Sequence, residues 1–210
     1  MHRVLTPVDY RQTAWKNRGG RTTELAVHPH AADFAHFAWR VSVADVTKDG
    51  PFSIFDGVDR TLVLLRGAGV KLATDEATLE IRAPFEPVTF SGDLRYECSL
   101  YAGPVQDFNL MVRRAAARGE IHVVRDAAGA VPPARYRLCY AAVGACECLL
   151  PGHVPLRLNE RDTLYVDASD ATPSVLRVNP LAPDAVALVV AIDMRGDMNS
   201  PAARSAESSL

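Results

Sequence analysis

The 210-residue chain has no excess of either charge: 23 Lys+Arg stand against 25 Asp+Glu, for a formal net charge of −2. That balance argues against a protein built to neutralise a phosphate backbone, so nucleic acid is not an expected partner. Long apolar runs are also missing. The longest, Ala185 to Ile192, is far below the ~20 residues a membrane helix needs, so no membrane partner is expected either. The segment Met1 to Tyr10 has no continuous apolar core of the kind a secretory leader carries. Cysteine is scarce, at Cys98, Cys139, Cys146 and Cys148, and without a leader the simpler expectation is reduced thiols in a cytoplasmic protein.

Helical periodicity is scarce too, and what fills the chain instead is short β-rich runs. These include Ala38 to Val43, Thr61 to Leu65, Val88 to Phe90, Arg135 to Tyr140 and Ala185 to Ile192. Between such runs lie Asp49-Gly50-Pro51, Asp56-Gly57, Ser91-Gly92-Asp93 and Pro151-Gly152, which supply the positive or fixed φ a reversing chain requires. An antiparallel, all-β sandwich or barrel follows. With 48% hydrophobic residues, a chain this long folds without metal or disulfide staples.

Length alone does not say whether the β structure is one large domain or two, but a weak internal repeat bears on the question. At an offset of 77 residues, Gly67-Ala68 aligns with Gly144-Ala145, Leu72 with Leu149, Leu79 with Leu156 and Asp93 with Asp170. The identities fall on matching strands and turns, as expected if one β-barrel unit occurs twice. Arg125 to Pro133 reads as a connector between the halves, and the Ser- and Ala-rich residues 195–210 as a disordered tail.

Chemistry-bearing residues concentrate in the first half. Trp15-Lys16-Asn17-Arg18-Gly19-Gly20-Arg21-Thr22 combines three cations, an amide and two consecutive glycines. Its backbone N–H groups could form a nest for a carboxylate or phosphate, although the Lys-Ser/Thr ending of a nucleotide-binding P-loop is absent. In Trp39-Arg40-Val41-Ser42-Val43-Ala44-Asp45, strand alternation puts Arg40 and Ser42 on one face and Trp39 on the other. An arginine there must reach solvent, an acidic partner or a polar pocket. Asp107 and Asn109, two residues apart on a strand, likewise point to a polar cavity rather than a dry core.

Other constellations are weaker. Ser53 lacks a Gly-x-Ser-x-Gly setting and a convincing histidine base. His28, His30, Asp33 and His36 resemble a histidine metal set only superficially, with Pro29 in the middle. Cys146 and Cys148 share a strand face with His153 beyond a turn, giving only three soft ligands. Neither set reads as a metal site, and no cofactor is expected.

Taken in order, several of these segments are similar to one known family. They are Trp15-Lys16-Asn17 with Gly19-Gly20 and Thr22; Trp39-Arg40-Val41-Ser42 with Ala44-Asp45-Val46; Asp49-Gly50-Pro51-Phe52-Ser53; Gly57-Val58-Asp59-Arg60; and Asp107-Phe108-Asn109-Leu110-Met111. In order and spacing they resemble the HutD/Ves family over most of residues 14–113, while the C-terminal half matches mainly in length and strand pattern. Arg18 departs from the pattern, standing where the family usually has another glycine. The resemblance implies a bicupin, two cupin-like jelly-roll β-barrels in one chain. It also implies a protein associated with histidine utilisation, acting as a regulator by binding a small carboxylate such as formylglutamate, without the usual cupin metal histidines.

The resulting expectation is a first barrel over residues 1–114 holding a ligand pocket and a second barrel over residues 115–194. Lys16, Arg40 and Arg60 would supply charge to a small anionic metabolite. Asn17, Thr22, Ser42 and Asn109 would supply hydrogen bonds, and Trp15, Trp39 and Phe52 apolar walls. The alternative is a metal-free cupin-type isomerase or hydrolase with Asp107 or Asp45 as base. A free jelly-roll edge strand offers a route to a homodimer.

Overall fold

The computed structural model describes residues 1–126, 129–168 and 175–198. The strands in chain order are β1 (His2–Leu5), β2 (Arg11–Ala14), β3 (Gly20–His28), β4 (Trp39–Val46), β5 (Gly50–Pro51), β6 (Val58–Arg66), β7 (Val70–Ala73), β8 (Thr78–Ile81), β9 (Pro87–Ser91), β10 (Glu97–Leu100) and β11 (Val105–Arg113). They continue with β12 (Ala117–Val124), β13 (Gly129–Val131), β14 (Tyr136–Val143), β15 (Cys146–Leu149), β16 (Leu156–Leu158), β17 (Thr163–Asp167), β18 (Leu176–Pro180) and β19 (Val186–Met194), before a short helix α1 (Arg195–Met198). Among the described residues all the strand pairings are antiparallel, with residues alternating between the two faces of each sheet.

Residues Asp9–Arg114 form one compact unit, and Met1–Val8 with Ala115–Leu210 form the other. In the first, a six-stranded sheet in the order β2-β3-β4-β11-β6-β9 is matched by a four-stranded sheet β5-β10-β7-β8. Apolar side chains of both sheets, among them Leu62, Leu64, Leu72, Ile81, Phe90 and Cys98, make one buried core. The second unit has a five-stranded sheet β1-β17-β14-β19-β12 and a four-stranded sheet β13-β18-β15-β16. Its core joins Cys139, Leu164 and Val189 to Cys148, Leu158 and Val178.

The two units repeat one design. Strands β4 to β11 correspond one for one, in order, to β12 to β19. The neighbour sequence β4-β11-β6-β9 becomes β12-β19-β14-β17, and β5-β10-β7-β8 becomes β13-β18-β15-β16. Gly67 and Gly144 open the same turn, both at positive φ (100° and 62°), where an L side chain is strained. The ladder refines the repeat read from sequence. Leu72 pairs with Cys98 and Leu79, and the matching position, which pairs with Val178 and Leu156, is Cys148 rather than Leu149.

The division at residue 114 differs from expectation at one end. Residues 1–8 lie with the second unit because β1 pairs with β17, His2 opposite Val166 through Leu5 opposite Thr163. Of the tail expected at 195–210, residues 195–198 form α1, while residues 199–210 lie outside the described residues, as does Asp170 of the repeat. Among the described residues no helix is long and apolar enough to cross a membrane.

Candidate functional site

The large sheet of the first unit presents its inner face as three cross-strand rows. Thr22, Ala44, Asp107 and Leu64 form one row, and Glu24, Ser42, Asn109 and Leu62 the next. A bulge in β3 between Glu24 and Ala26 then brings Val27 beside Arg40, in a row that continues through Met111 and Arg60 to Phe90. Thus β11, the central strand, carries Asp107, Asn109 and Met111 inward. Its neighbours β4 and β6 place Arg40 and Arg60 on either side of Met111, about 10 Å apart by strand spacing.

This face borders a cavity of about 650 Å³, lined also by Lys16, Asn17, Phe34, Phe52 and Phe55. Arg40, Arg60, Ser42, Asp107 and Asn109 are all less than a tenth exposed. Arg40 is compensated: its Nε donates to Glu24 Oε2 at 2.6 Å, one terminal nitrogen donates to Ser42 Oγ at 3.4 Å, and its guanidinium lies 4.9 Å from the centre of the Phe34 ring. Arg60 is held differently, its guanidinium 4.8 Å from Phe52, 5.4 Å from Phe90 and 5.8 Å from Phe55.

Arg60 Nε, Asp107 Oδ1 and Asn109 Oδ1 are buried without a hydrogen-bond partner. One such orphan costs about 1–3 kcal/mol, so three on one cavity wall is a large concession unless a ligand completes them.

Burial also moves the charges. It pushes the Asp107 carboxyl up to about 7, Asp45 adding to the rise and Arg60 opposing it. The same loss of water brings Arg60 down to about 10; Asp107 opposes that fall, and Arg40 adds to it. At neutral pH the cavity therefore holds a cationic Arg60 beside a carboxyl poised between its two protonation states, next to a locally neutral Arg40–Glu24 pair.

Of the residues expected from sequence, Lys16, Asn17, Thr22, Arg40, Ser42, Phe52, Arg60 and Asn109 line this cavity, together with Trp15. Trp39 does not. Strand alternation turns it to the opposite face of β4, where it is fully buried and stacks on His28 at 5.7 Å.

The glycine loop is not an anion nest. Gly19 N donates to Asn17 Oδ1 at 2.9 Å, and Trp15 N donates to Gly20 O at 2.9 Å, closing the β2–β3 hairpin on itself. Gly20 is needed for space, because a Cβ there would stand 2.3 Å from Asp45 O. Thr22 Oγ1 accepts from Trp15 Nε1 at 2.8 Å, so its role is to brace the wall.

Asp45 points away from the cavity, accepting from Arg21 Nε at 2.6 Å and Gln106 Nε2 at 2.8 Å, which removes it as the alternative base. The four N-terminal metal candidates do not converge either: His28 stacks on Trp39, while His36 meets Asp33 at 2.6 Å in an exposed loop.

Sequence reasoning set Asp107 on the polar face but gave it a role only as the base of the alternative enzyme, and it left Glu24, Phe34 and Phe55 out of the site. For Asp107 the signal was present, an Asp-x-Asn pair on one strand face. Glu24, Phe34 and Phe55 gave none, because only the sheet and its loops bring them to the wall.

The corresponding face of the second unit is closed. Where Asn109 pairs with Leu62 and Ser42, the equivalent Val189 pairs with Cys139 and His122; the position equivalent to Asp107 is Ala187. Both Ala187 and Val189 belong to the apolar core.

Comparisons with known proteins agree with this architecture. A family model described as HutD matches residues 8–181. A 21.2 kDa protein of Pseudomonas putida from the hutC 3′ region is 30% identical over 167 residues, 80% of this chain and 87% of its own. The solved structure of HutD from Pseudomonas fluorescens SBW25, in a formate condition, superimposes with a TM-score of 0.80 at 28% identity, covering 93% of this chain and all of that one. Oxalate decarboxylase of Bacillus subtilis, at 9% identity and a TM-score of 0.58 over 99% of this chain and 84% of its own, shares the all-β cupin fold alone.

Proposed function

The chain belongs to the HutD family, and from that premise we propose that it is a non-enzymatic binder of a small carboxylate metabolite such as formylglutamate, acting as a regulator in histidine utilisation. The observation that carries the reading is the set of buried, unpartnered polar atoms on one wall, Arg60 Nε, Asn109 Oδ1 and Asp107 Oδ1. A guanidinium with an unpartnered Nε donates to the two oxygens of a carboxylate in a two-point grip. The amide oxygen of Asn109 takes an N–H donor, and a protonated Asp107 donates to a second oxygen.

A formylated amino dicarboxylate presents all three complements: carboxylates, one amide N–H and a formyl oxygen. Arg40, already paired with Glu24, retains donor capacity for the second carboxylate, and Lys16 at the rim adds a point charge that favours anions on approach. The aromatic floor of Phe52, Phe55 and Phe90 shields Arg60 from water, which strengthens any ion pair it makes.

Calorimetric titration with formylglutamate, glutamate and urocanate tests the proposal. Saturable binding of formylglutamate, weaker binding of glutamate and loss of both in Arg60→Met are expected. No heat and no thermal shift with any of the three would overturn it.

One observation favours a second reading, an enzyme: a carboxyl near neutrality inside a cavity is the property of a general acid or base. Incubation of the same metabolites with the protein separates the readings, since consumption that is lost in Asp107→Asn marks turnover, and recovery intact of a ligand that the titration shows bound marks a binder.

A further inference from the structure

The second unit, which lacks the polar wall, carries its own concentration of reactive groups. Cys139 on β14 and Cys146 and Cys148 on β15 bring three sulfurs within 4.8 Å of one another, all buried. They come from both sheets: β14 lies between β17 and β19, and β15 between β16 and β18. Cys146 and Cys148 share a face because they are two residues apart on a strand. The third ligand is not the neighbour that sequence offers, for His153 lies beyond the turn against His2, ring centres 4.5 Å apart. It is Cys139, brought in from the facing sheet.

The positions are informative because the first unit supplies a control. By ladder register, Cys139 corresponds to Leu62, Cys146 to Val70 and Cys148 to Leu72, three ordinary core residues. The frame therefore packs well with aliphatic side chains at all three places, and thiols are not required by the fold.

We propose that Cys139, Cys146 and Cys148 form a binding site for a single Cu(I) ion in trigonal sulfur coordination. Three sulfurs placed about 2.3 Å from a central ion stand about 4.0 Å from each other, which the observed cluster accommodates with small side-chain rotations. Among the described residues no histidine or carboxylate joins the group, so zinc, whose closed protein sites take four ligands, is left short. A soft monovalent ion is satisfied by sulfur alone. The surrounding Leu158, Leu164, Val178 and Val189 exclude water from the three sulfurs. Binding ionises the coordinating thiols, whose protons pass to solvent, and copper enters and stays as Cu(I), so no oxidant or reductant is involved.

The test is anaerobic titration of the full chain with Cu(I), supplied as its acetonitrile complex against a chromogenic Cu(I) chelator, followed by X-ray absorption spectroscopy of the loaded protein. One ion per chain, held by three sulfurs and no lighter donor, is the expected result. Cys98→Ala, which removes the lone buried cysteine of the other unit, retains one ion. The triple variant Cys139→Leu, Cys146→Val, Cys148→Leu, built from the first unit's own residues at these positions, loses it. Failure of the wild-type protein to hold the ion against the chelator, a two-sulfur or mixed nitrogen and oxygen shell, or retention of the ion by the folded triple variant would each overturn the proposal. The wild-type spectrum decides the matter even if the triple variant folds poorly. The ligand titration of the first unit is unaffected by either result.

Discussion

Replacing Asp107 by asparagine changes how the first unit responds to pH, and the size of the change follows from the burial of the carboxyl. In the folded chain Asp107 binds its proton at about 7, against an ordinary value of 3.8. A group whose folded pKa is raised contributes stability that is complete below the ordinary value and is lost as pH rises through the folded one. Between pH 5 and pH 7 the unfolded carboxylate is ionised and the folded one is not, so stability falls by about 1.4 kcal/mol per pH unit, on the order of 3 kcal/mol in all.

Asparagine has the same shape and does not titrate, so this component vanishes in Asp107→Asn. Both tryptophans of the chain, Trp15 and Trp39, lie within Asp9–Arg114, so urea unfolding followed by tryptophan fluorescence reports on that unit. The quantity to measure is the difference between pH 5 and pH 8, taken for wild type and for the variant. The six histidines contribute equally to both proteins and cancel. A parallel decline of the two proteins would refute the reasoning, showing that Asp107 is already ionised at pH 5 and that Arg60 or entering water compensates it fully.

Arg60→Lys keeps the charge but removes the planar fork, and calorimetry should show at least a tenfold loss of carboxylate affinity with folding intact; equal affinity would mean that only the charge matters. Asn109→Val installs the residue found at the equivalent place in the second unit and removes a buried unpartnered amide oxygen. It should raise the stability of the first unit by about 1 kcal/mol in urea unfolding while weakening ligand binding, and a loss of stability would show that the amide is satisfied in solution. Arg18 sits at a φ of 57°, in the left-handed region that glycine occupies freely. Arg18→Gly should therefore gain roughly 0.5 kcal/mol after the extra backbone entropy of glycine is subtracted, and Arg18→Val should lose stability; thermal melts of the pair check the sign.

Much of the site was legible before any coordinate. Arg40 and Ser42 alternate with apolar neighbours on β4, and Asp107 and Asn109 stand two apart on β11, so a polar face was implied by period alone. The same alternation already set Trp39 opposite Arg40, and its absence from the cavity is a consequence of the strand rather than an exception to it. The glycine loop misled because consecutive glycines announce an unusual backbone without saying whether it serves a ligand or a tight approach. Here Gly20 serves the approach to Asp45, and Gly19 serves the turn.

What the sequence determined by itself was the class of fold, its duplication and the faces of the strands, because these depend on local propensity and a period of two. Tertiary structure alone decided which faces meet and what they leave unsatisfied. Glu24 reaches Arg40 across a strand pair, three phenylalanines from two separate segments surround Arg60, and Cys139 joins Cys146 and Cys148 from a facing sheet. Burial is a collective property of such contacts. A carboxyl becomes a group that titrates near neutrality, and three dispersed cysteines become one cluster, only when distant strands remove the water around them.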